Sequence, residues 1–170
     1  MRPIQACCVA VFFVFFGVVS TMAGPQRVDL EPIAHENAEL VVVNPDGSRT
    51  VYTPAQLEEF PTYRLVTTTP WRVEPAAFSG VLLSDILERH EMPSDMTIRV
   101  TAENEFSTFF DPEALGIAPI LVATRVDGAA HSRRARGPIQ FVIEDEVYRS
   151  NDALTESHLV WMASRIEVVR

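Results

Sequence analysis

The chain has 170 residues, and its 14 basic residues, all arginine, are outnumbered by 23 acidic ones, which gives a formal net charge of −9. This acidic balance argues against a nucleic-acid-binding protein, which needs a basic excess to neutralise phosphates. With 47% hydrophobic and 22% charged residues, the chain is too apolar for intrinsic disorder, and its length suits one packed domain.

The first 23 residues have the features of a secretory signal peptide. Arg2 precedes the uncharged apolar run 6–19, and Thr21-Met22-Ala23 places small residues before a cleavage site. The apolar run is shorter than the roughly 20 residues that a membrane-spanning helix needs. We therefore expect a periplasmic or secreted protein, cleaved after Ala23 and without a membrane span; an uncleaved anchor is the alternative.

The positions of the cysteines restrict the chemistry of the mature protein. Cys7 and Cys8 both lie within the predicted signal peptide, so cleavage leaves a chain without thiols. Disulfides, zinc ribbons, iron–sulfur clusters and cysteine nucleophiles are therefore excluded for the mature chain.

Residues 24–38 are polar and contain two prolines, which predicts a leader, and residues 39–170 are predicted to form one domain. β-branched and aromatic residues predict strands, and a Thr53–Gln56 capping box predicts a helix start at Pro54. In chain order, the predicted elements are strands 39–43 and 48–52, a short helix from 54, strand 62–69, helix 82–90, strand 97–102, a short helix from 112, and strands 120–126, 139–143 and 159–169. These elements predict an α+β fold with mixed, mostly antiparallel strands and short helices.

The segment 131–138 concentrates positive charge in an otherwise acidic chain. It contains His131 and three arginines, Arg133, Arg134 and Arg136, followed by Gly-Pro. The guanidinium group binds phosphate and carboxylate through paired hydrogen bonds, so the cluster predicts an anion pocket. The alternative is that these arginines pair with the surplus acidic residues.

A second candidate is the run Thr67-Thr68-Thr69-Pro70-Trp71, in which strand hydroxyls adjoin an indole. Such a run suits the wall of a pocket, and a strand with a core tryptophan is the alternative. The four histidines lack metal-site spacing, and the chain contains no P-loop or G-x-S-x-G motif.

These segments, in this order, resemble the oxidoreductase molybdopterin-binding domain of the sulfite oxidase superfamily, in particular its short exported single-domain members. The resemblance spans about residues 40–169 and implies a pterin pocket in one concave face. The matching segments are VTTTPW at 66–71, FSGVLL at 78–83, IRVTA at 98–102 with Asn104, VATRVDG at 122–128, GPI at 137–139, and Trp161 followed by RIEV at 165–168.

The resemblance also implies roles for particular positions. Catalytic members of the family hold molybdenum through a cysteine, and its position falls on Thr67 or Thr68, which offer no thiolate. The family's basic contacts to the pterin phosphate fall near the three arginines of segment 131–138. The cofactor-binding candidates are therefore Thr67, Thr68, Trp71, Asn104, His131, Arg133, Arg134, Arg136 and Trp161.

Three functions remain open from the sequence. The first is a non-redox binding module whose pocket takes a phosphorylated or anionic small molecule, for which molybdopterin or a pterin-like ligand is the candidate cofactor. The second is a molybdopterin-dependent oxidoreductase without a cysteine ligand, and the third is a periplasmic interaction partner of a membrane sensor. The missing thiol favours the first, as does the single Arg2, because catalytic members use a twin-arginine signal.

Overall fold

The computed structural model describes residues 24–169, so the predicted signal peptide and both cysteines lie outside the described residues. The strands are β1 (Gln26–Arg27), β2 (Leu40–Val43), β3 (Arg49–Tyr52), β4 (Thr62–Thr69), β5 (Arg72–Leu82), β6 (Ile98–Ala102), β7 (Ser107–Phe110), β8 (Leu121–Val126), β9 (Ala129–Ala130), β10 (Gln140–Val142) and β11 (Ala163–Val168). The helices are α1 (Pro54–Leu57), α2 (Leu83–Arg89), α3 (Pro112–Ile117) and α4 (Asp145–Ser150), with 3-10 turns at Arg133–Ala135 and Glu156–His158. None of the helices in this part of the chain is long and apolar enough to cross a membrane.

The described strands form two sheets. One sheet has the order β1-β4-β5-β8-β10 with β9 beside β8, and the other has the order β3-β2-β11-β6-β7. The pairing of β2 with β11 is parallel, and the other pairings of named strands are antiparallel. The observed architecture is therefore the mixed, mostly antiparallel α+β arrangement that the sequence predicts.

The main hydrophobic core contains buried residues from both sheets, and a smaller cluster lies on the opposite face of the first sheet. Val122 belongs to the main core and its neighbour Leu121 to the smaller cluster. Successive side chains of a strand point to opposite faces, so β8 is buried on both sides. This explains why residues 120–123 read as a continuous apolar run.

Elements β5, β7 and β11 differ from the sequence-based expectation, and β1, β9 and α4 were not predicted either. Strand β5 begins at Arg72, ahead of the apolar segment that precedes α2, and β7 was not predicted. The last strand begins at Ala163 instead of Leu159, because Met162 has a φ of +55°, which interrupts extended backbone. The first two differences arise because antiparallel partners stabilise segments whose local apolar pattern is weak.

A buried ion pair joins β8 to the end of α1, and the N-terminal segment contacts both of its side chains. Arg125 Nε donates to Glu58 Oε1 at 2.8 Å, and its Nη2 donates to the Glu31 carbonyl oxygen at 2.8 Å. The Thr124 hydroxyl donates to the same carboxylate at 2.6 Å, and His35 Nε2 lies 3.2 Å from it. The side chains of Arg125 and Glu58 are only 5% and 9% exposed, so each needs the other as the counter-charge that compensates its burial.

Burial alone would raise the pKa of Glu58, but the hydrogen bonds from Arg125 and Thr124 and the nearby positive charge together lower it. We expect Glu58→Gln to reduce the free energy of unfolding by about 3–5 kcal/mol, because it leaves Arg125 buried without a counter-charge. The wild type should lose this contribution as the pH falls from the ordinary carboxyl pKa, about 4.3, through the lower pKa of the folded state. Urea unfolding at several pH values measures both effects.

The matched control is Glu59→Gln, because Glu59 is exposed and makes no ion pair among residues 24–169. Equal stability of the two variants at pH 7 would contradict the role of the buried pair.

Strands β5 and β8 approach closely at Gly80. A Cβ atom there would lie 2.1 Å from the Val122 carbonyl oxygen and 2.8 Å from Ala123 Cα. We expect Gly80→Ala to destabilise the protein by about 1–3 kcal/mol, because the backbone of the paired strand must move. Gly116→Ala is the control: no atom lies within 4 Å of a Cβ in α3, so thermal unfolding should show unchanged or slightly higher stability.

Candidate anion-binding site

The segment 132–137, here called the arginine loop, is closed by its own backbone. The Ser132 carbonyl oxygen accepts hydrogen bonds from Ala135 N at 2.9 Å and Gly137 N at 2.8 Å. Arg136 has a φ of +79°, and a Cβ at Gly137 would lie 2.2 Å from the His131 carbonyl oxygen. The loop is therefore a tight turn with a defined backbone that projects the side chain of Arg136.

Two other segments bring tryptophans to this loop. Residues 160–163 run beside residues 136–141, with hydrogen bonds from Phe141 N to the Val160 oxygen at 2.7 Å and from Met162 N to the Arg136 oxygen at 3.3 Å. Trp71 occupies the two-residue turn between β4 and β5. Backbone pairing thus places residues that are distant in sequence around one side chain.

The guanidinium group of Arg136 contacts both tryptophans. The Cζ atom of Arg136 lies 4.4 Å from the ring centroid of Trp71 and 5.3 Å from that of Trp161. Each such cation–π contact contributes about 0.5–2 kcal/mol, depending on how far water is excluded. The half-buried Arg136 is therefore held in place by aromatic rings, and it makes no ion pair within residues 24–169.

A cavity of about 410 Å³, here called the arginine cavity, lies next to this contact. Its lining includes four arginines and no acidic residue, which is unusual in a chain of net charge −9. Those arginines are Arg72, Arg133, Arg134 and Arg136; the aromatic lining residues are Trp71, Phe78 and Trp161, and the polar ones are Thr69, His131 and Gln140.

Two of the four arginines are already paired. Arg72 Nη2 donates to Asp127 Oδ2 at 2.9 Å. Arg133 forms ion pairs with Glu36 and Glu103, and its Nη2 donates to the Asn37 carbonyl oxygen at 2.8 Å. Arg134 is exposed and, like Arg136, has no acidic partner in the described part of the chain, so these two side chains remain available to an anion.

His131 forms a buried part of the wall and is 2% exposed. Its Nε2 lies 2.8 Å from Gln140 Oε1, and its Nδ1 has no hydrogen-bond partner in the structure. Burial lowers the pKa of His131, the hydrogen bond to Gln140 opposes this shift, and the charge of Arg72 adds to it. A neutral imidazole at pH 7 follows, so the positive charge of the cavity comes from the arginines.

Six of the nine predicted site residues line the arginine cavity: Trp71, His131, Arg133, Arg134, Arg136 and Trp161. Thr67, Thr68 and Asn104 are not part of its lining. Thr67 is buried and its hydroxyl accepts a hydrogen bond from Asp145 N at 2.9 Å, while Thr68 lies at a register shift between β4 and β5. Asn104 accepts a hydrogen bond from Phe106 N at 3.2 Å.

Thr69, from the candidate run 67–71, also lines the cavity, as do Arg72, Phe78 and Gln140, which sequence reasoning did not select. Gln140 could have been identified from the sequence, because it is a polar residue inside the apolar run 139–143. Arg72 and Phe78 line the cavity because β5 pairs with β4 and β8, which no local pattern reveals.

Catalytic members of the family that the sequence resembles hold molybdenum, and the donor atoms near Thr67 do not fit such a centre. The hydroxyl of Thr67 is engaged with the backbone of α4, and the chain after residue 8 contains no thiol. Within residues 24–169, no group of three or more histidine, cysteine, aspartate or glutamate side chains is placed to hold a metal ion. The arginines and tryptophans, in contrast, suit the phosphate and ring of an organic anion.

Comparison with known proteins supports the fold. No family model and no curated protein matches the chain. Among solved structures, it is similar to the sulfane dehydrogenase SoxCD from Paracoccus pantotrophus, with a TM-score of 0.58 and 14% sequence identity over 81% of this chain. The chain spans 39% of the length of that protein. The expected α+β fold class is thereby confirmed, and the chain shares the fold of part of that enzyme.

Proposed function

We propose that this chain is a non-redox binding module that takes a phosphorylated or otherwise anionic small molecule in the arginine cavity. The observation that carries the proposal is the position of Arg136, which contacts both Trp71 and Trp161 and has no acidic partner in the described residues. Acidic side chains are plentiful in this chain, yet none lines the cavity.

The physical argument is preorganisation. An exposed arginine loses side-chain freedom when it binds an anion, at a cost of about 0.5–1.5 kcal/mol. Because the two indoles already restrain Arg136, much of that cost is met before the ligand arrives. Arg134 on the same loop adds a second guanidinium that is able to share the charge of a phosphate.

The ligand class includes pterin phosphates. The sulfite-oxidase-like molybdopterin-binding fold supports a pterin-like ligand, and Trp71 and Trp161 supply aromatic surface beside the arginines. Without a thiolate the site lacks the soft ligand that suits molybdenum, so binding is proposed without redox chemistry. We further propose that the module acts in the periplasm or as a secreted protein, following removal of residues 1–23.

The first test is anion binding by the two unpaired arginines. We expect Arg136→Ala and Arg134→Ala each to weaken binding of inorganic pyrophosphate by about 10- to 150-fold, the range for hydrogen bonds to charged groups. Isothermal titration calorimetry at low salt measures the affinity.

Arg89→Ala is the control, because Arg89 lies over the Phe60 ring, 6.0 Å from its centroid, and does not line the cavity. It should bind pyrophosphate like the wild type. Unchanged affinity in both cavity variants would remove the proposed function.

The second test concerns metal content. The protein is purified from the periplasm or culture medium of its own organism, and mass spectrometry is expected to show that it begins at Gly24. Plasma mass spectrometry is expected to find substoichiometric molybdenum. The reason is that Thr67 offers no thiolate and its oxygen accepts the Asp145 N–H. Stoichiometric molybdenum would instead contradict the non-redox proposal and favour the oxidoreductase alternative.

A further inference from the structure

A second cavity of about 340 Å³, here called the aromatic cavity, shares Trp71 and Trp161 with the arginine cavity. Its remaining apolar lining residues are Ala102, Phe106, Leu159 and Val160. The two cavities are therefore adjacent, and a ligand that lies across the two tryptophans reaches both.

The chemical character of the two cavities is opposite. The lining of the aromatic cavity contains no basic residue, and its one charged side chain is the exposed Glu156. Its polar lining residues are Asn104 and Ser157. A negatively charged group is therefore favoured in the arginine cavity and disfavoured in the aromatic cavity.

Phe106 is an exposed apolar side chain in the lining of the aromatic cavity. It is 44% exposed although it is large and apolar. Its backbone is held by hydrogen bonds from Ala102 N to its carbonyl oxygen at 2.8 Å and from its own N to the Asn104 side chain. A positioned, half-exposed aromatic ring beside two tryptophans offers a stacking surface that water covers poorly.

We infer that the two cavities form one bipartite site, whose ligand carries an anionic group at one end and an uncharged aromatic group at the other. The anionic group lies against Arg134 and Arg136, and the aromatic group lies against Phe106 and the shared tryptophans. This inference rests on the proposed function and narrows it, because Glu156 selects against ligands that are anionic at both ends.

The test compares phosphate monoesters that differ only in the attached group. Methyl phosphate probes the arginine cavity alone, and 2-naphthyl phosphate adds an uncharged aromatic group. We expect 2-naphthyl phosphate to bind at least about fivefold more tightly than methyl phosphate, as stacking on an aromatic side chain predicts. Phe106→Ala should reduce this difference without changing the affinity for methyl phosphate.

Phe109→Ala is the matched control. Phe109 is 53% exposed, lies on neighbouring β7 and lines neither cavity, so its loss should leave the affinities for both esters unchanged. Circular dichroism confirms that each variant is folded before titration. Equal binding of the two esters to the wild type, or equal effects of Phe106→Ala and Phe109→Ala, would overturn the bipartite site.

The role of Glu156 has its own probe, 6-carboxy-2-naphthyl phosphate. The wild type should bind it more weakly than 2-naphthyl phosphate, and Glu156→Gln should recover about threefold, the range for an exposed charge pair. No recovery would remove the selection against a second anionic group.

Failure of the proposed function has a different signature. Arg136→Ala should weaken binding of both methyl phosphate and 2-naphthyl phosphate. If 2-naphthyl phosphate bound that variant as well as it bound the wild type, anion recognition itself would be refuted. Methyl phosphate binding that depends on Arg136, without any gain from the naphthyl group, would refute only the bipartite site.

Discussion

The contact of Arg136 with two tryptophans requires three distant parts of the chain to meet. Trp71 comes from the turn between β4 and β5, Arg136 from the arginine loop, and Trp161 from the segment before β11. Backbone hydrogen bonds hold the arginine loop beside the segment that carries Trp161, because Met162 N donates to the Arg136 carbonyl oxygen and Phe141 N donates to the Val160 oxygen. Both cavities are bounded by these tryptophans, so their shape depends on the same set of hydrogen bonds.

Two arginines of this chain differ in burial and pairing: Arg125 has a structural role, and Arg136 is proposed to bind the ligand. Arg125 is buried, and its guanidinium is occupied by Glu58 and the Glu31 carbonyl oxygen, so it holds the N-terminal segment against the sheet. Arg136 is held by aromatic rings, which fix its position but leave its hydrogen-bond donors unused by any acidic group in residues 24–169. A fold shared with a sulfane dehydrogenase does not decide between such roles, since function depends on the side chains placed in the site.

Much of the fold was predictable because local signals agree with the tertiary structure. Strand β4 covers the predicted residues 62–69, and α1 begins at Pro54 with the expected capping box. Strand β7 and the start of β5 were not predictable, because their pairing partners stabilise them more than their own alternation does. The start of β11 depends on the positive φ of Met162, which no local sequence pattern predicts.

The sequence by itself determined which chemical groups are available to the site: a cluster of arginines, two tryptophans and no thiol after residue 8. Only the tertiary structure decided which arginines remain unpaired. Arg133 contacts Glu36 and Glu103, which are 97 and 30 residues away along the chain, whereas Arg136 meets indole rings. Electrostatic and aromatic contacts act through distance in space, and strand pairing sets that distance, so neighbouring arginines in the sequence reach different partners.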